Sequence, residues 1–246
     1  GPHRVRLGTP VHSVERDGGA FVVRTARDAL HADAVVLATP AFVAAELVRG
    51  MDVPAADSLT AIPYASTGVV HLVYAEGTAE ALPGATGFVV PRGRAPMTAA
   101  TFVSRKWPEA AFGTRAVVRC FVGAVGSEDV LEEPDDDIVD AVCRHLAAFL
   151  PLPGRPSASS VVRWPRSMPQ YEVGHLERVR AIEASLPAGI FPTGNAYQGV
   201  GVADAVHGAG LAAERVRVHL GAEPAGVSTS SPATGEHRAD RRTWDE

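Results

Sequence analysis

Gly189-Ile-Phe-Pro-Thr-Gly-Asn-Ala-Tyr-Gln-Gly-Val-Gly-Val-Ala-Asp204 decides how the rest of this sequence is read. Its first five residues form a short apolar run of strand character, and from Val202 a helical pattern continues to about Leu220. Between them lie Gly194, Gly199 and Gly201, which lack Cβ atoms and let a flat ligand approach the backbone closely. The helix that follows offers unpaired N–H groups and the positive end of its dipole to negative charge density. The same residues also describe a plain strand-to-helix crossover, and spacing alone leaves both readings open.

Downstream, Val202, Val206, Ala209, Ala213, Val216 and Leu220 fall at alternating steps of four and three, one narrow apolar stripe along the helix. Residues 221–246 are small and polar and are read as a disordered tail. Far upstream, Ala34-Val-Val-Leu-Ala38 is a continuous apolar run of the kind a strand buried on both faces requires. Thr39 and Pro40 close it, and the fixed φ of proline opens a helix expected over 41–49. Ahead of that, residues 5–14 and 21–24 read as a hairpin around Asp17-Gly18-Gly19, with a third short strand around Leu30. The first residue is Gly1 and strand character begins by Arg4, so the chain is expected to start mid-protein.

The middle of the chain has a different rhythm. Strands are expected at 66–74, 87–91, 97–104 and 115–122, separated by Gly, Pro and polar residues, which points to an antiparallel sheet rather than βαβ units. Asp135, Asp136 and Asp137 mark a helix start, Ile138, Val142, Leu146 and Phe149 mark its apolar face, and Pro151 and Pro153 are expected to end it. A strand at 161–164 and a helix at 176–186 lead back to the glycine-rich turn.

Composition narrows the function classes. The chain has 246 residues, 46% hydrophobic and 21% charged, ordinary values for a globular protein with a sizeable core. A net charge of −5 gives no global basic field, so nucleic acid is not an expected partner. Cys120 and Cys143 form no CxxC pair, so neither a disulfide framework nor a metal site is expected, and a reducing cytoplasm is the simplest home. No apolar run reaches the roughly 18 residues that a membrane span needs, and no export signal opens the chain. At most peripheral membrane contact is expected.

Three segments carry a family resemblance. Thr193-Gly-Asn-Ala-Tyr-Gln-Gly-Val-Gly-Val-Ala-Asp204 is similar to the last FAD-binding signature of protoporphyrinogen and coproporphyrinogen oxidases, within the flavin amine-oxidase superfamily. The resemblance implies that Val200, Gly201 and Val202 contact the isoalloxazine ring through their backbone, with Gly194 beside them. Arg163-Trp-Pro-Arg-Ser-Met-Pro-Gln-Tyr-Glu-Val-Gly-His175 resembles a narrower pattern of the same oxidases. It implies that Trp164 lies against the cofactor and that the turn Pro169-Gln-Tyr171 lies near the substrate cavity. Without the resemblance, Trp164 reads equally well as an ordinary core tryptophan, and His175 reads as a cap or packing residue rather than a base. Val5-Arg-Leu-Gly-Thr-Pro-Val11 and Ala32-Asp-Ala-Val-Val-Leu-Ala-Thr-Pro40 resemble the middle of the family's FAD domain, which implies that Val11 contacts the adenine end of FAD. Ile62-Pro-Tyr-Ala-Ser-Thr-Gly68 and Phe102-Val-Ser-Arg-Lys-Trp-Pro108 resemble the family's substrate-domain sheet.

The fold class so implied is α/β plus α+β: a partial Rossmann-like FAD-binding domain with an antiparallel-sheet substrate domain inserted. FAD-binding parts are expected at 1–50 and 187–220, the substrate domain at 51–186 and the tail at 221–246. The N-terminal dinucleotide-binding portion, with its G-x-G-x-x-G, is expected to be missing. The implied reaction is oxidation of a porphyrinogen in haem biosynthesis, hydride passing to flavin and electrons onward to dioxygen, with hand-over of product to the next enzyme of the pathway. No catalytic residue is assigned, because positioning and exclusion of water suffice. Coproporphyrinogen III is favoured over protoporphyrinogen IX, and Arg92, Arg94, Arg105, Lys106 and Arg119 are the basic candidates for propionates, each also readable as a solvated charge. Another flavin amine oxidase or desaturase, or a non-catalytic remnant, are the rival readings.

Overall fold

The computed structural model describes residues 5–91, 93, 96–110 and 112–222. Arg92, Arg94 and the tail beyond residue 222 therefore lie outside the described residues. The hairpin is present as β1 (Val11–Asp17) and β2 (Ala20–Thr25), extended by β3 (Ala29–Ala32) into a three-stranded antiparallel sheet. Gly18 supplies the left-handed turn residue at φ 60°. The first strand starts later than its apolar alternation predicts. Gly8 sits at φ 61° and Pro10 has no N–H to give a ladder, so Val5 and Leu7 stay exposed and pairing begins at Val11.

β4 (Val35–Leu37) pairs in parallel with β10 (Ile190–Pro192), Val35 opposite Ile190 and Leu37 opposite Pro192. This parallel pair brings together the two segments expected to form the FAD-binding domain. Leu37 is buried, but Val36 is 44% exposed. The expected burial on both faces holds for only one, because nothing among the described residues covers the Val36 side. Pro40 opens α1 (Ala41–Val48), as its fixed φ dictates. With α2 (Ala55–Thr60) and α5 (His175–Ser185) this helix packs a first core of Val14, Phe21, Leu37, Val48, Leu59, Ile62, Val179, Ile182 and Ile190. Both α2 and α5 fall within 51–186, the stretch that the sequence groups with the sheet, yet their apolar residues belong to this first core.

The second core lies under a five-stranded antiparallel sheet. β5 (Tyr64–Val73), β6 (Gly87–Val89), β7 (Met97–Phe102), β8 (Val117–Val122) and β9 (Ala158–Pro169) run in the order β6-β7-β8-β5-β9. A short α3 (Val103–Lys106) follows β7. One face of the sheet, with Val70, Leu72, Val118 and Cys120, is covered by Ile138, Val142 and Leu146 of α4 (Asp135–Leu146). Three aspartates fill the first turn of α4, where the helix dipole favours them. The helix stops at Leu146, ahead of the prolines, so Phe149 is exposed rather than on the buried face.

The last helix, α6 (Val202–His219), corrects the sequence reading most clearly. Its only buried residue is Ala212, flanked on the packed side by Ala205, Gly208 and Val216. Most of the expected stripe points outward: Val202 is 84% and Val206 69% exposed, and Leu220 is exposed too, so that only Val216 of its large members turns toward the packed side.

Candidate functional site

The glycine-rich turn between β10 and α6 is built around Asp204. Its carboxylate accepts the Gly201 N–H at 3.1 Å. A Cβ on Gly199 would lie 2.5 Å from Asp204 Cβ and Cγ, and one on Gly201 would lie 2.9 Å from Asp204 Oδ2. These two glycines therefore make room for Asp204, a role that the reading from sequence did not include. Gly194 differs: at φ 124° a Cβ there would meet nothing within 4 Å, so the space beside its Cα is open, while its carbonyl accepts the Tyr197 N–H at 3.3 Å. Asp204 also takes part of the positive helix end. The N–H groups of Val202 and Ala203, in the first turn, have no intrahelical partner, and Val200 and Val202 are exposed.

The second segment reaches this turn through an irregular strand. In β9 the pairing jumps from Thr67 opposite Trp164 to Ala65 opposite Met168, which throws Pro165, Arg166 and Ser167 into a bulge. Arg166 adopts φ 45°, donates its N–H to Ser66 Oγ at 3.1 Å, and lays its guanidinium over the Phe42 ring at 3.7 Å. Trp164, beside the bulge, is 54% exposed, so it is not the core tryptophan that one reading allowed.

Hydrogen bonds then tie the two segments together. The Tyr171 hydroxyl donates to the Asn195 carbonyl at 2.7 Å and accepts from the Gly199 N–H at 2.8 Å. Burial raises the Tyr171 hydroxyl above its usual pKa, outweighing the Gly199 N–H that lowers it, so the proton needed for donation stays in place. His175 stacks on the Tyr171 ring with centroids 3.9 Å apart, and its Nε2 donates to the Tyr197 carbonyl at 3.3 Å. Asn195 Nδ2 makes a long contact of 3.5 Å to the Ser167 carbonyl. His175 is buried and acts here in packing, as expected. The sequence reading quoted Tyr171 but gave its hydroxyl no role, and it passed over Asn195 and Asp204. Only Asp204 left a local signal, a carboxylate three residues after the helix-opening Gly201.

The face of the five-stranded sheet opposite α4 is open. Over it lies a cavity of about 440 Å³ lined by Thr67, Val69, Phe121, Val125, Met168 and Gln170, among others. Met168 and Gln170 bring the Pro169 turn to its wall. Val11 lies apart, partly exposed as the first residue of β1 in the other sheet. Of the basic candidates, Arg105 donates to the carbonyls of Ala79 and Leu82, which leaves it a structural tie, whereas Lys106 and Arg119 both lie against Trp107.

These residues fit the planar end of a flavin. The open space beside the Gly194 Cα, the open N–H groups of Val202 and Ala203, and the exposed indole of Trp164 offer close approach, donors and an apolar face. When bound, a flavin would supply a two-electron hydride acceptor. The chain's own part is to fix the turn and to border the adjoining cavity.

Residues 1–217 match the family of flavin containing amine oxidoreductases. Coproporphyrinogen III oxidase of Bacillus subtilis (strain 168) is 31% identical over 208 residues, covering 82% of this chain and 44% of that protein. Coproporphyrinogen III oxidase of Mycobacterium tuberculosis (strain ATCC 25618 / H37Rv) is 34% identical, covering 79% of this chain and 42% of that protein. The chain thus spans less than half the length of these relatives. A solved structure from Exiguobacterium sp. 255-15, assigned as a protoporphyrinogen oxidase, superposes with a TM-score of 0.77 at 28% identity, over 88% of this chain and 47% of that one. With a family match over residues 1–217, this chain belongs to the flavin containing amine oxidoreductases, whose cofactor is FAD.

Proposed function

We propose that the protein carrying this sequence oxidises coproporphyrinogen III to coproporphyrin III in haem biosynthesis, with FAD as hydride acceptor and dioxygen as final oxidant. One observation carries the reading. The Tyr171 hydroxyl joins Asn195 and Gly199 of the glycine-rich turn to the segment that borders the cavity, so flavin and substrate share one rigid junction. The relatives named coproporphyrinogen III oxidase support this substrate. Protoporphyrinogen IX is the second reading, favoured by the name of the Exiguobacterium structure.

In this reading Val200, Gly201 and Val202 lie along the isoalloxazine ring, Gly194 and Trp164 close beside it, and Val11 lies toward the adenine end. The sheet's open face holds the macrocycle and keeps water away from the reacting methylene bridge, and no side chain need act as acid or base. A location in the cytoplasm fits such a role, with at most peripheral membrane contact. Among the described residues no helix is long and apolar enough to cross a membrane.

Steady-state oxidation of the two porphyrinogens, followed as porphyrin fluorescence with the protein's flavin absorbance recorded, tests the proposal. A higher kcat/KM on coproporphyrinogen III is expected. A preference for protoporphyrinogen IX would replace the substrate, and a folded protein without flavin that oxidises neither would overturn the reading.

A further inference from the structure

The open face of the five-stranded sheet is graded from one end to the other. Strand register sets side chains in rows across it: Trp164 beside Thr67, then Val162, Val69, Phe121 and Ala99, then Ser160, His71, Arg119 and Thr101. Successive rows lie two residues apart along the strands, so the third row is roughly 13–14 Å from the first. The first row leads into the bulge whose Ser167 carbonyl meets Asn195 of the glycine-rich turn, the second is apolar and floors the cavity through Val69 and Phe121, and the third is polar and cationic.

Arg119 is the unusual member of that third row. It is half-buried, and its guanidinium lies 5.1 Å from the Phe121 ring centroid and 5.9 Å from that of Trp107. Lys106 Nζ lies 4.8 Å from the Trp107 ring centroid. Among the described residues neither cation has a carboxylate partner, and Arg119 Nε is buried without any hydrogen-bond acceptor. Neighbouring arginines are treated differently: Arg115 pairs with Glu76 at 2.7 Å, and Arg163, on the same sheet, pairs with Asp135 at 2.5 Å. His71, directly across from Arg119, is held below the usual histidine range by burial first and by the Arg119 charge second. It is therefore neutral at pH 7 and leaves the positive charge to Arg119 and Lys106. A half-buried guanidinium with an unused donor is costly unless an anion completes it.

We propose that Arg119, with Lys106 beside it, binds a propionate carboxylate of the substrate just beyond the Val69 and Phe121 edge of the cavity, on the side away from Trp164. The inference rests on the porphyrinogen reading above and adds a binding residue to it. A macrocycle with one edge at the Trp164 row lays its apolar ring over Val69, Val162 and Phe121 and carries a side-chain carboxylate out to the third row. Coproporphyrinogen has propionates on all four pyrroles, so every edge-on orientation delivers one to Arg119. Protoporphyrinogen has two, on adjacent pyrroles, and only part of its orientations do so. Arg119 is thereby a determinant of substrate choice as well as of affinity.

The test uses the protein carrying this sequence, with coproporphyrin III and its tetramethyl ester as probes and quenching of tryptophan emission as readout. The unaltered protein should bind the tetra-acid more tightly than the ester. Arg119→Gln should weaken the tetra-acid by roughly ten-fold or more and leave the ester unchanged, with Arg119→Lys recovering part of the loss. Should Arg119→Gln fail to fold, Lys106→Gln, on the exposed side of the cluster, should give a smaller loss of the same selectivity. Equal binding of acid and ester by the unaltered protein, or equal loss of both in the variants, would overturn the carboxylate site while leaving the porphyrinogen reading intact. Binding of neither probe would overturn both.

Discussion

The Tyr171 hydroxyl accepts the Gly199 N–H at 2.8 Å, and through this contact a residue of the sheet segment fixes the backbone of the glycine-rich turn. Tyr171→Phe removes that acceptor and the donor to Asn195 together, leaving a main-chain N–H and a carbonyl to find water. A loss of about 1–3 kcal/mol of stability is expected, with lower flavin retention. Chemical denaturation and flavin absorbance after gel filtration measure the two effects. Unchanged retention would mean that the turn keeps its shape without the clamp.

Gly199 and Gly194 should respond differently to alanine. At Gly199, with φ 143°, a new Cβ collides with the Asp204 side chain at 2.5 Å, so overpacking adds to backbone strain, at about 1–3 kcal/mol each. Combining Gly199→Ala with Asp204→Gly, which removes the Asp204 Cβ as well as its carboxylate, should relieve the collision, so the two changes should cost less together than their separate effects summed. At Gly194 the Cβ enters open space within the chain. Gly194→Ala is therefore expected to unfold at a denaturant concentration nearer that of the unaltered protein, yet to hold less flavin.

Trp164→Ala separates binding from folding. Because more than half of its surface is exposed, truncation should change stability by no more than about 0.5 kcal/mol. Flavin affinity and porphyrinogen turnover should both fall. A large drop in melting temperature with flavin affinity intact would reverse that assignment.

Alkaline pH should destabilise the fold through Cys120. Burial raises this thiol from 9.0 to about 12, with the nearby Cys143 adding to the effect. Below pH 9 both folded and unfolded chains keep the proton, so the contribution is fully present. Above it the unfolded thiol ionises while the folded one does not, and stability falls until the folded value near 12 is reached, by up to roughly 1.4 kcal/mol per pH unit. Tyr74 and Tyr197, also raised by burial, act in the same direction at higher pH. Urea unfolding at pH 8 and pH 10.5 should therefore differ, and Cys120→Ala should reduce the difference.

The elements governed by local chemistry were readable from the residues. The Asp17-Gly18-Gly19 hairpin, the helix after Pro40, the acidic start of α4 and the antiparallel sheet all follow from turn residues and short-range apolar patterns. What escaped depends on neighbours far along the chain. α6 carries a regular stripe, but which of its faces packs against the rest of the chain is set by contacts distant in sequence, and periodicity does not show them. Nothing in the sequence around the glycines at 199 and 201 announces that their missing Cβ atoms also make room for Asp204. The link from Tyr171 to Asn195 and Gly199 ends on main-chain atoms more than twenty residues away, so no side-chain pattern announces it. Resemblance supplied the cofactor and the substrate class, which spacing alone had left open.

Because Tyr171 grips a carbonyl and an N–H rather than side chains, the clamp makes no demand on the side chains that neighbour Gly199. Gln198 and Val200 can be exchanged while the loop keeps its trace. The turn is thus a ready site for tuning a flavin's electronic properties, or for accommodating an altered flavin, by redesigning those two positions and leaving the scaffold untouched.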